Sequence, residues 1–457
     1  MLNKLKSIFK SPSLIVIIAI IPFVLGVNNN LSKWKSKNVI KWDAISYYSY
    51  LPAAFIEKDL MLSFITDSTE AYYVSNDLYW PQKTENGNRI IKTSMGMAVL
   101  YSPFFFAAHA LAPANEANGF SEIYHLAILL SGLFYLIIGL LYLRKALLLF
   151  YSEKITAITL VAIYFATNLL CYSILGATMS HEYNFCLFAA FLYFSIQWYK
   201  QQKLKYLLVM ALVFGLLVLV RPVNILLFLA FLLYDIKGIS SFKERILFLL
   251  KNTKHLLLFA LIIFLIFLPQ LLYWKYVTGS YFFNSYVGER FYFLQPHLID
   301  CLIGFRKGWL IYTPVMLFAL AGIYFLRKTK SPFFISAIIL LPLYFYIVSS
   351  WWCWWYGGSF GLRAMIDLYP LLAFALAAFF SSVLYRKKFS SKLTGVFIGI
   401  FIALNLFQTM QYHYNIIHFD SMTMKAYFNS FGKTSKADCD RDLLKSPDYA
   451  KAMKGEE

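Results

Sequence analysis

The sequence predicts an all-α polytopic membrane protein, and three observations predict it. Of 457 residues, 60% are hydrophobic and 14% are charged, whereas soluble domains carry about 25% charged residues. Mean hydropathy holds at +0.60 across the chain, which excludes a disordered chain, a disulfide scaffold and a collagenous repeat. Apolar stretches long enough to cross about 30 Å of hydrocarbon as helix recur from one end to the other.

Such stretches fall near 12–27, 122–143, 155–171, 183–199, 206–220, 222–235, 255–274, 308–326, 332–350, 362–384 and 393–410, which makes about eleven transmembrane helices. The first follows Lys4, Lys6 and Lys10 without an evident small-residue cleavage site, so it is expected to stay as an anchor with its N-terminus in the cytoplasm. Alternating from there, the cytoplasmic connections are 144–154, 200–205, 236–254, 327–331 and 386–392. With the N-terminus they hold half of the 42 Lys and Arg residues, as the positive-inside rule requires. All but three of the 23 acidic residues fall on or near the outer side.

The apolar segment 95–112 breaks this alternation if it spans, so it is expected to lie at, or dip into, the outer face. Residues 1–410 then form the transmembrane domain, with 28–121 an outer-face loop carrying juxtamembrane helices and 411–457 a short polar outer tail. The five cysteines, Cys171, Cys186, Cys301, Cys353 and Cys439, lack the close spacing of a metal site or redox pair. The net charge of +19 implies lipid phosphate and not nucleic acid.

Charged groups at membrane depth are costly, so those at helix ends on one side are functional candidates. Asp43, in KWDAISYYSYLP, heads an aromatic run; it is either a helix cap or a catalytic carboxylate. His181 and Glu182 stand together where a helix re-enters the membrane, as a satisfied polar turn or a functional pair. Arg221 precedes Pro222 inside an apolar run and either faces a cavity or snorkels outward. Arg306 and Lys307 sit between Gly304 and Gly308 and suit a phosphate or lipid headgroups. Trp351, Trp352, Trp354, Trp355 and Tyr356 precede a GGSFGLR segment; aromatic faces stack on sugar rings or cover lipid, and Arg363 can pair bidentately with phosphate.

In layout and short motifs the sequence resembles the GT-C fold membrane glycosyltransferases, the superfamily of protein O-mannosyltransferases and aminoarabinose transferase. The resemblance lies in Trp42-Asp43 with Tyr47 and Tyr48, the SPFFFAAH segment, the polar pair His181-Glu182, Arg221-Pro222, RKGWLIYTPV from 306 to 315, and GGSFGLR ending at Arg363. It covers most of residues 40–384. It implies transfer of a sugar from a polyprenyl-phosphate-linked donor to a lipid, glycan or protein hydroxyl on the outer face, in the inner membrane of a bacterium. By that likeness Asp43 is the general base, or helps to hold the acceptor. The family's second acidic position falls at Glu182, with His181 before it in place of the usual Asp. Arg221, Arg306, Lys307 and Arg363 would take the donor phosphate. Some members of the superfamily use a divalent metal, for which only Asp43 and Glu182 offer carboxylates here, and none is expected. The competing classes are a lipid-linked-sugar flippase or other transporter, and a polysaccharide polymerase or ligase.

Overall fold

The computed structural model describes residues 11–384 and 388–457. The basic residues Lys4, Lys6, Lys10, Arg386 and Lys387, used above to orient the chain, lie outside the described residues. Every apolar stretch predicted above is wholly or largely helical, and the described strands, Pro81–Lys83 and Arg89–Ile91, form a two-stranded antiparallel hairpin in the first loop. Among the described residues five helices are long and apolar enough to cross a membrane: Pro12–Leu31, Glu122–Leu147, Thr253–Thr278, Arg363–Leu384 and Ser390–His413. This is the make-up of an all-α membrane protein.

These helices differ in what surrounds them. Arg363–Leu384 is central, with 89% of its apolar window buried, whereas for Thr253–Thr278 the share is 17%. The latter leaves Leu257, Phe264, Leu265 and Leu272 exposed, a surface suited to hydrocarbon and costly in water. Around the central helix pack Met316–Lys328, Glu153–Phe165 and Ser180–Gln201. The approach is close where a side chain is missing: a Cβ on Gly322 would lie 2.0 Å from the Ala375 carbonyl oxygen, and one on Gly139 2.8 Å from Cys186 Cα. Small residues at such crossings let backbones meet where packing, and not water exclusion, holds helices together.

The predicted stretches differ from the observed helices in instructive ways. The one near 155–171 stops at Phe165 and resumes as Leu169–Ile174. Carbonyls freed by this break are taken up by Asn405, whose Nδ2 donates to Phe165 O (2.9 Å) and Thr167 O (2.8 Å). The stretch near 308–326 divides into Trp309–Tyr312 and Met316–Lys328 around Pro314, which has no N–H to continue the helix. The stretch near 222–235 is a short 3-10 turn, Pro222–Leu227, followed by Phe228–Leu232. Segment 95–112 is a helix, Gly96–Leu111, packed against Glu122–Leu147 and Leu204–Val220.

The tail, expected to be a polar appendage, is docked. Ile417, Met422, Ala426 and Tyr427 form an apolar cluster with Cys171, Tyr312 and Phe360, and Tyr449 packs on Trp355 with ring centroids 5.2 Å apart. Its charged residues conceal this apolar face from composition alone. Elsewhere in the bundle Arg144 pairs with Glu153 (2.6 Å) and donates to Ser11 and Ser13, tying the start of the first helix to Glu122–Leu147 and Glu153–Phe165.

Candidate functional site

Four separated segments bring polar side chains to one opening, and local backbone chemistry sets each of them. Arg221 ends the helix Leu204–Val220 because Pro222 disfavours helical geometry in the residue before it; its φ and ψ are −146° and 113°. Gly96 packs directly on this turn, where a Cβ would come within 2.4 Å of Val220 N. Asp43 is the first residue of a short helix, Asp43–Tyr48, entered through Trp42 at φ 56° and ψ −130°. A bulky residue in that region is strained, a feature that clusters at functional sites. Arg363 follows Gly361, whose φ of 59° suits glycine, and opens the 3-10 turn Arg363–Leu368, which also carries Asp367. His181 lies in the first turn of Ser180–Gln201.

Two arginine–carboxylate pairs result. In the outer pair Arg363 Nη2 donates to Asp43 Oδ2 at 2.9 Å, with the aspartate side chain 45% exposed. In the inner pair Arg221 Nη1 donates to Asp367 Oδ2 at 3.2 Å, and this aspartate is fully buried. Asp367 also accepts from Asn184 Nδ2 on Oδ2 (2.9 Å), and its Oδ1 lies 2.9 Å from His181 Nδ1. The same Nδ1 lies 3.2 Å from Arg221 Nη1, so the imidazole sits between a carboxylate, which only accepts, and a guanidinium, which only donates. The Tyr344 hydroxyl lies 3.2 Å from Asp367 Oδ2 and 3.3 Å from Asn224 Oδ1. The two guanidinium groups are within electrostatic range of each other, and Tyr47, Tyr286 and Tyr356 have hydroxyls within range of Arg221. Two arginines, one half-exposed and one buried carboxylate, and three tyrosine hydroxyls thus lie close together.

Sequence adjacency misleads for His181 and Glu182. Neighbours on a helix point about 100° apart, so His181 reaches Asp367 while Glu182 faces Glu122–Leu147, where Gly132 makes room for its carboxylate. Neither Glu182 oxygen has a hydrogen-bond partner among the described residues, and the side chain is wholly buried away from Asp43 and both arginines.

Arg306, Lys307 and most of the tryptophans also stand apart from this opening. Lys307 is buried, with Nζ donating to the carbonyls of Ser359 and Phe419; desolvation pulls its ammonium well below the usual lysine range. Arg306 meets Glu457 (3.3 Å) and the Lys445 carbonyl (3.0 Å) and lies over the Trp354 and Trp355 rings. Both basic side chains therefore bind the tail. Trp355 is fully buried, Trp354 stacks on His297 (5.1 Å), and Trp351 and Trp352 are half-buried. Tyr356, which does face Arg221, donates to Val348 O (2.9 Å).

Two functional candidates, Asp367 and Tyr344, carry no motif in the sequence. Asp367 was hidden inside the predicted span 362–384, yet a carboxylate within an apolar stretch is itself a signal. Tyr344 gave no signal, because a tyrosine in an apolar helix is common. Among the described residues no three His, Cys, Asp or Glu side chains gather in one place, and each site carboxylate is already paired with an arginine. Searched against known protein families, curated proteins and solved structures, the chain matches none.

Proposed function

We propose that the protein is a membrane glycosyltransferase that moves a sugar from a polyprenyl-phosphate-linked donor to a hydroxyl of a lipid, glycan or protein. In this proposal about eleven spans form a GT-C fold, with the site on the periplasmic face of a bacterial inner membrane. The observation that carries it is the outer pair: a half-exposed carboxylate, Asp43, held by an arginine that can instead receive an anion.

A sugar phosphate already has a good leaving group, so the protein must orient the acceptor, remove its proton and hold departing charge. Arg221 and Arg363 flank the seat of the donor phosphate. When the phosphate draws Arg363 away, Asp43 is freed to accept the acceptor's proton. The acceptor oxygen bonds to the anomeric carbon, the carbon–oxygen bond to phosphate breaks, and the polyprenyl phosphate leaves with its electron pair, stabilised by the arginines. The half-buried Trp351 and Trp352 remain candidates for contact with sugar or lipid; surrounding lipids are partners, and nucleic acid is not.

The test is mass spectrometry of lipid-linked sugars from a strain lacking this gene, before and after adding detergent-purified protein and a cell-envelope acceptor extract. A transferase depletes one polyprenyl-phosphate sugar and enlarges one acceptor by a single sugar. Detergent abolishes sidedness, so a flippase changes no mass, and enlargement by a preassembled glycan would indicate a polymerase or ligase.

A further inference from the structure

We propose that Asp367 is a positioning residue that holds Arg221 and His181 in the orientation in which they meet a phosphate-bearing ligand. The inference rests on the anion-binding role proposed above for the two arginines. Asp367 has no exposed surface, so it touches no ligand itself. Its Oδ2 faces Asn184, Arg221 and Tyr344 and its Oδ1 faces His181, so four groups from outside its own turn converge on one carboxylate. What remains available lies on its partners. Among the described residues Arg221 is held through Nη1, which meets Asp367 Oδ2 and His181 Nδ1, and its side chain keeps 20% exposure. His181 is held through Nδ1, leaving Nε2.

The fold makes this arrangement rigid. Asp367 shares the turn Arg363–Leu368 with Arg363, so one short element carries a ligand-facing arginine and the carboxylate that orients the other. Its partners come from Ser180–Gln201, Arg221 and Phe334–Ser349, elements far apart in sequence. A carboxylate that merely neutralised buried charge would need one partner; one contacted from three further segments fixes direction as well.

Farnesyl phosphate binding to the full-length protein in detergent tests this by calorimetry, with farnesol as the control. Wild type should bind the phosphate and not the alcohol. Asp367→Asn, close in shape but uncharged, should bind about tenfold more weakly, as loss of a charge-assisted network predicts. In an Arg221→Gln background the same change should add less than about twofold, because coupled residues are not additive. Equal losses in both backgrounds, no loss in either, or tighter binding would overturn the positioning role. Failure of wild type to bind farnesyl phosphate would overturn the anion site itself, and this role with it. If Asp367→Asn does not fold, Tyr344→Phe removes one donor and should lose about threefold, again only when Arg221 is present; a loss that persists without Arg221 overturns the proposal.

Discussion

Asp43 and Arg363 lie 320 positions apart in sequence yet pair at 2.9 Å, which makes each the other's resting partner. If the pair opens for a donor phosphate, transfer and phosphate binding should respond oppositely to removal of Asp43. Asp43→Asn should lower transfer by about 10²–10⁴-fold, the usual contribution of a general base. The same variant should bind farnesyl phosphate more tightly, because the competing carboxylate is gone. Turnover measured with the acceptor identified by mass spectrometry, alongside calorimetry, checks both; unchanged turnover would remove Asp43 from the chemistry. At this scale the sequence was partly legible. Arg221 could be singled out because an arginine before proline in an apolar run has few places to go, and Asp43 because it leads an aromatic segment. The separation of His181 from Glu182 could not, since it depends on which helix lies against each face.

The elements are held by close crossings and by side chains that patch broken helices. Gly322→Val would drive a branched side chain into the Ala375 backbone, where even a Cβ would lie 2.0 Å from the carbonyl oxygen. Overpacking of this kind typically costs about 1–3 kcal/mol, and it should appear as a lower melting temperature in detergent. Asn405→Leu removes the donor to Phe165 O and Thr167 O. Leaving a buried acceptor unsatisfied costs about 1–3 kcal/mol, so this variant should melt lower too, whereas Gly395→Ala on the same helix, with open space around it, should not. Helix existence was legible from hydropathy, but the breaks at Ala166–Asn168 and Pro314 were not equally so. Proline announces its break locally; the former is sustained by a residue more than 200 positions away.

For the whole molecule, the docked tail is the main departure from what composition suggested. Lys and Asp make it read as solvated, while its apolar residues cover the segments that carry Lys307 and Gly361. Within the docked tail, His418 Nδ1 accepts from the backbone N–H of Asp420 and Ser421 (3.4 and 3.2 Å). Burial, opposed by Asp420, holds its pKa below the ordinary 6.5. A histidine whose folded pKa is depressed contributes stability above its unfolded pKa and loses it as pH falls toward the folded value. The tail should therefore become more protease-sensitive as pH drops from about 7.5 to about 5.5, and His418→Gln should flatten that dependence. Cleavage in the tail that is independent of pH would exclude His418 as its cause.

The outer ion pair has one more consequence, for selectivity. A bilayer surrounds such a site with phospholipid, each headgroup a phosphate present in vast excess over any scarce carrier. Unpaired arginines would be occupied by whichever lipid diffused past. With Asp43 already on Arg363, a phosphate that displaces it gains only what it exceeds the aspartate by. A bare headgroup makes a nearly even exchange, whereas a ligand with a sugar to seat as well brings the additional contacts that tip it. Under the proposed function, the pair would act as a threshold that common lipids fail to cross.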